Sequence, residues 1–392
     1  MTKYFSANYI FPVSGEPIRN GVVSVKRSGE VIKIFDENES KYLPVGKVEN
    51  YEGFIVPGFV NTHCHLELSH LHQKFAKHEG LVSFIKSIIT QRGTNDEEIL
   101  AAMKKADKAM AENGIVAVGD IVNNNLSKTV KEESSIYYHN FVELLGFDPA
   151  QAEERFKKGL ELKDNFSPLS TSLSPHAPYS VSRKLFSMIR SYYKTHKGLL
   201  TMHNQESEEE NNFFRYRTGA FIDFYKFLNL DISFLKLNPS TSIQRTLPAL
   251  PKKQKILLVH NIYTNVKDIH FVNRFNRYVN WCFCPNANLY IENKLPEIPL
   301  FLMHNLNITL GTDSLASNDE LCILSELKTI YKYFPDIPLT KTIQWATLNG
   351  AKFLGIDHTF GSLEFGKTPG LNLITETKGM NLTEKSKVKK LI

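Results

Sequence analysis

Residues 55–67 (IVPGFVNTHCHLE) form an apolar run that ends in two histidines one residue apart, His63 and His65. On an extended strand residues i and i+2 point to the same side, so both imidazoles can face one point while Cys64 faces away. That is a metal-ligand geometry. An isolated His-x-His is usually a pair of ordinary histidines, so the reading rests on what ends the other apolar runs. These carry His176 within SPHAPY, His203 and Glu206 within HNQE, His260 after the run 256–259, and Asp313 within GTD.

Three neutral imidazoles and one carboxylate make a site for a divalent ion with a position left open for water. His63, His65, His203 and Asp313 are the expected ligands, and the expected cofactor is one Zn2+, with Fe2+ or Mn2+ as alternatives. Such an ion lowers the pKa of bound water from about 15.7 toward about 7, making hydroxide available at neutral pH. Glu206, three residues after His203, can reach back over the ion if the chain turns into a helix there. From that place it would take a proton from the water and pass it to the leaving group or a ring nitrogen, a role typically worth about 10² to 10⁴ in rate. Asp313 would hold the water in line, His260 would orient it or stabilise developing negative charge, and His176 would face the substrate.

These residues must be brought to one mouth by the elements that carry them. Eight apolar runs, at 55–60, 114–118, 136–145, 169–173, 199–202, 256–259, 279–283 and 308–310, read as buried parallel strands, most followed by enough chain for a helix. The clearest helix spans 96–113, with Thr94 and Glu97 in capping-box spacing, Ile99, Met103, Ala106 and Met110 on one face, and Gly114 as its stop. This pattern predicts an α/β fold, a (β/α)8 TIM barrel, whose chemistry sits at the carboxyl ends of the strands. The segments 21–26 and 30–35 read as a hairpin about Arg27, Ser28 and Gly29, and the chain turns β-rich again at 361–367 and 371–374. Residues 1–56 and 359–392 are therefore expected to form a small composite β-sandwich domain from both chain ends, with 57–358 as the metal-dependent barrel.

Composition removes other classes. A chain of 392 residues with 42% hydrophobic content can bury a large core. A net charge of +6, from 47 basic against 41 acidic residues, is too mild and scattered for nucleic acid, and the basic run 385–390 reads as a solvated tail. No stretch approaches the roughly 18 apolar residues of a membrane helix, and no signal-peptide pattern opens the chain. The four cysteines, Cys64, Cys282, Cys284 and Cys322, do not form a disulfide framework, which fits a reducing cytoplasm. The expected partner is a small-molecule substrate. The number of subunits stays open, a homodimer being common among barrels of this kind.

The segments PGFVNTHCH at 57–65, PHAPYS at 175–180, HNQE at 203–206, LVHN at 258–261, CPNANL at 284–289 and GTDSLASN at 311–318 resemble the amidohydrolase superfamily, in its branch of cytosine-, guanine- and adenosine-type deaminases and chlorohydrolases. The resemblance implies a metal-dependent barrel with the roles given above. Binuclear members carry a bridging lysine at the end of strand four; residues 172–178 contain none, so one ion is expected. Within the branch, SPHAPYSV at 174–181, His65-Leu66-Glu67 and Glu206-Ser207 are most similar to aminodeoxyfutalosine deaminases, which act on a 5'-substituted adenosine bearing a benzoate. That substrate calls for a cation near the mouth, for which Arg215 and Arg217 are the candidates. Glu67, two residues past a ligand, is a candidate for substrate hydroxyls.

The function expected is hydrolytic removal of an exocyclic amine from a purine nucleoside-like or related nitrogen heterocycle. A chlorohydrolase or cyclic amidohydrolase on the same site is the nearer alternative, and an inactive binding protein on this barrel the more distant one. His70-Leu71-His72 lies beyond the strand end and reads as loop histidines. Cys282 and Cys284 read as small core residues.

Overall fold

The computed structural model describes residues 2–43, 46–233, 235 and 239–392. Eight strands run parallel in two sheets of four. The first sheet is made of β1 (Phe59–Cys64), β2 (Ile115–Val122), β3 (Tyr137–Leu144) and β4 (Ser170–Pro175), paired in chain order. The second is made of β5 (Leu200–Asn204), β6 (Ile256–His260), β7 (Val279–Phe283) and β8 (Ile308–Leu310), again in chain order. One seam between the sheets is a parallel bridge from Cys64 to Asp313, where His63 O accepts from the N–H groups of Thr312 and Asp313. At the other, His203 N–H donates to His176 O and Thr201 N–H to Ser174 Oγ.

Helices follow each strand, among them Asp96–Glu112 after β1, Ala152–Asn165 after β3 and Val266–Phe275 after β6. Burial on both faces explains the continuous apolar runs: on β6, Leu258 packs outward with Met202, Trp281 and Ile269, while Leu257 and Val259 pack inward with Val60, Phe141 and Phe353. Cys282 and Cys284 are buried in that inner cluster. Among the described residues no helix is long and apolar enough to cross a membrane.

Two further sheets lie at the chain ends. Val31–Phe35, Val22–Lys26, Thr2–Ser6 and Val48–Asn50 form one; Lys387–Lys390, Leu371–Thr375, Phe54–Pro57, Tyr9–Ile10 and Ile18–Arg19 form the other. Apolar side chains from both chain ends, including Phe5, Val23, Val25, Ile55 and Leu373, pack together.

Three expectations are corrected. The run 55–60 is two strands: Phe54–Pro57 pairs with Leu371–Thr375, and β1 starts at Phe59. The break falls at Gly58, where a Cβ would stand 2.3 Å from Val116 Cγ1 and 2.6 Å from Pro369 O, an approach only glycine permits. The helix at 96 is capped by Asn95, whose side chain accepts from Glu98 N–H, and Thr94 bonds Glu98 instead of forming a box with Glu97. The basic run 385–390 is no free tail, because Lys387–Lys390 pairs antiparallel with Leu371–Thr375, its lysines staying exposed.

Candidate metal centre and active site

The carboxyl ends of β1, β5, β6 and β8 deliver the expected groups to one buried point. His65 Nε2 stands 3.2 Å from His63 Nε2 and 3.2 Å from His203 Nε2, and Asp313 Oδ1 lies 3.4 Å from His65 Nε2 and 3.5 Å from His63 Nε2. His63 projects from β1, His65 immediately follows it, His203 is the penultimate residue of β5, and Asp313 lies three residues beyond β8. Left-handed backbone at Gln205 (φ 47°), His260 (φ 74°) and Asp313 (φ 57°) marks the points where the chain turns off the strands. Strain of this kind persists where the surroundings over-determine it. Here Asn261, itself left-handed, donates its side-chain amide to Leu258 O and Cys282 O and ties the turn to two strands.

The donor set fits a cation. His203 gives its Nδ1–H to His176 O at 3.0 Å, so its Nε2 presents a lone pair. A neutral His65 has one hydrogen at most on Nε2 and can donate it to only one of its two imidazole neighbours, so at least one of these 3.2 Å contacts lacks a proton from His65 to bridge it. Ligands about 2.0–2.2 Å from a shared tetrahedral centre stand about 3.4 Å apart, close to the separations here. Burial holds the imidazoles of His65 and His203 well below their ordinary range, so both are neutral at pH 7, as ligation requires. Burial would raise the Asp313 carboxyl, but hydrogen bonding with His63 and the nearby imidazoles pull it well below the usual carboxylate range. Ser317 Oγ donates to the other Asp313 oxygen.

Two more groups close on this point. His260 Nε2 lies 3.6 Å from Glu206 Oε1, and its Nδ1–H donates to Asn288 Oδ1. Glu206 sits where β5 gives way to the helix Glu208–Tyr216, which is capped by Ser207, and its N–H donates to Glu210 Oε2. Burial first, then the negative charge of Asp313, raises the Glu206 carboxyl well above its ordinary value. His176 is hydrogen-bonded through Nδ1 to Ser180 Oγ, and burial lowers it to about 3.

A cavity of about 370 Å³ opens over these groups. Its wall is largely apolar, with Phe84, Ile85, Phe147, Tyr179, Phe224 and Tyr225 prominent. Among the described residues the cations on this wall are Arg92 and Arg155. Arg215 and Arg217 do not line it: they stand at the end of the helix Glu208–Tyr216, whose start carries Glu206 to the site. Glu67 does line the cavity, but one of its oxygens is paired with Arg92 and the other accepts from Asn123 N–H. His70 and His72 are remote from the cluster, bonded to the carbonyls of Arg92 and Asp319.

Sequence reasoning missed Glu143, on β3, whose Oε1 is 3.7 Å from His203 Nδ1 and 3.9 Å from His176 Nε2. Burial raises it to about 7. A carboxylate near the carboxyl end of an otherwise apolar strand run was the available signal.

The amidohydrolase family model matches residues 54–392. The chain is 25% identical over 365 residues to an aminodeoxyfutalosine deaminase of Nitratiruptor, covering 89% of this chain and 85% of that one. It is 26% identical over 386 residues to a 5'-deoxyadenosine deaminase of Methanococcus vannielii, covering 92% and 86%. In fold it is similar to the crystal structure of Helicobacter pylori aminofutalosine deaminase in complex with methylthio-coformycin, with a TM-score of 0.77, 23% identity and full coverage of both chains.

Proposed function

This chain belongs to the amidohydrolase family, and from that premise we propose that it is a hydrolytic deaminase removing the exocyclic amine of a 5'-substituted adenosine. The observation that carries the reading is the buried convergence of His63, His65, His203 and Asp313 beside Glu206 and His260, at the floor of a cavity with apolar walls. Relatives named for aminodeoxyfutalosine and 5'-deoxyadenosine support the substrate class.

His63, His65, His203 and Asp313 would hold one divalent ion, Zn2+ first among the candidates and Fe2+ or Mn2+ after it. When bound, such an ion supplies a Lewis acid that lowers the pKa of water from about 15.7 toward about 7. Glu206 takes one proton from the attacking water and passes it to the purine ring nitrogen; the second proton of that water, released as the new C–O bond becomes a carbonyl, goes to the amine, which leaves as ammonia. Burial and the nearby Asp313 charge raise its carboxyl above the ordinary range, which favours its holding the proton between the two transfers. Asp313, kept ionised and anchored by Ser317, accepts a hydrogen bond from the water and holds it in line with the ring carbon. His260 orients that water from the other side. His176, whose Nδ1 is occupied by Ser180, presents Nε2 to the substrate ring, and Glu143 stands beside it.

We assign the eight parallel strands to one (β/α)8 barrel over 57–358, and residues 1–56 with 359–392 to a composite β-sandwich domain. The shared strand pairing of Phe54–Pro57 and Leu371–Thr375 supports the second unit. Four buried, unpaired cysteines support a reducing, cytoplasmic setting.

The test is incubation of the protein with adenosine derivatives, guanine, cytosine and cyclic ureas while ammonium is followed. Ammonium release from 5'-deoxyadenosine or aminodeoxyfutalosine is expected; none from any adenosine derivative would remove the reading.

A further inference from the structure

β1 ends at Cys64, and His65 has already left extended geometry, with φ −124° and ψ 78°. The i, i+2 relation of a strand therefore does not by itself aim the His65 ring at His63. Something outside the strand must hold the turn. The residue after it, Leu66, donates its N–H to Asp120 Oδ1 at 2.8 Å, across from the β1 end on β2.

Asp120 is not an ordinary acceptor. Its Oδ2 lies 2.6 Å from Lys131 Nζ, and both side chains are wholly buried. Lys131, on the helix Ser127–Glu133, also donates to Asn140 Oδ1 at 2.7 Å. The rings of Tyr138 and Phe166 stand 5.4 and 5.3 Å from its charge. Removing two charges from water costs as much as most such pairs return, so packing alone would be served equally well by apolar side chains. What the pair adds is direction. Lys131 takes one oxygen of Asp120, and the other is left facing the Leu66 amide.

We propose that Asp120, held by Lys131, is a positioning residue for the metal centre: it fixes the amide next to His65 and so the direction of the His65 imidazole. Cys64 pairs with Asp120 on one side and bridges to Asp313 on the other, so the same contact ties the turn of β1 to the late ligand. The inference rests on His63, His65, His203 and Asp313 being the ligands.

Two double variants separate direction from charge. Asp120→Leu with Lys131→Met removes both charges and the acceptor; Asp120→Asn with Lys131→Met removes both charges and keeps an oxygen for Leu66. Zn2+ affinity is measured by chelator competition, and the Co2+-loaded proteins are compared by visible absorption. The leucine pair is expected to lose about 10- to 100-fold in affinity with an altered Co2+ spectrum, and the asparagine pair to stay within about threefold with the wild-type spectrum. Equal behaviour of the two pairs, both intact or both weakened, overturns the proposal. Failure of the wild type to bind Zn2+ overturns the ligand assignment instead. Should the leucine pair not fold, deuterium exchange in the wild type decides: a Leu66 amide as protected as its strand neighbours is expected, and exchange at the rate of an exposed loop overturns the idea.

Discussion

The Nδ1–H of His260 donates to Oδ1 of Asn288 across 2.9 Å, and both side chains are buried. His260 ends β6 and Asn288 lies on the helix Pro285–Glu292, which follows β7. The bond fixes one tautomer, leaving Nε2 unprotonated and aimed toward Glu206.

Replacing Asn288 with Leu should free the ring and its tautomer. The expected result is a fall in kcat of about 10- to 100-fold with little change in KM, since the substrate pocket is untouched and only the water-orienting group moves. Steady-state kinetics on a 5'-substituted adenosine check it; an unchanged kcat would deny His260 its role.

Glu206→Gln keeps the shape of the side chain and removes its capacity to carry a proton. Metal content should stay at the wild-type level while kcat falls by about 10² to 10⁴. Elemental analysis beside a turnover assay reads both quantities, and an active variant would take the proton transfer away from Glu206.

His139 offers a stability prediction apart from the chemistry. It is buried between Ser170 Oγ and Ser172 Oγ, and burial lowers it from about 6.5 to about 4. Between those values the unfolded chain binds a proton that the folded chain refuses, so stability rises with pH from about 4 to about 6.5. The contribution is of order 3 kcal/mol, lost as pH falls through that window. The difference in urea midpoint between pH 4.5 and pH 6.5 should be smaller in His139→Gln than in the wild type. Equal differences would show that His139 already titrates normally.

Much of the centre was legible because a strand alternates its faces and a parallel sheet buries both. An apolar run followed by His63 and His65, or by His203, already states which end carries the chemistry. What escaped depended on contacts distant in sequence. Gly58 breaks the run 55–60 because Pro369 and Val116 crowd it, and nothing local to residue 58 says so. Lys387–Lys390 reads as a solvated tail until Leu371–Thr375 is beside it. Glu67 reads as a candidate for substrate hydroxyls, and nothing local to it shows that Arg92, 25 residues later, pairs with one of its oxygens. Glu143 acquires meaning only when β3 brings it beside His176, just after β4, and His203 on β5.

The central claim is that His63, His65, His203 and Asp313 share one ion. Elemental analysis of protein purified without added metal tests it most directly, compared with a folded His65→Ala variant. One divalent ion per wild-type chain, lost in the variant, is the predicted result. A folded wild type carrying no ion, or a variant carrying as much as the wild type, would contradict it.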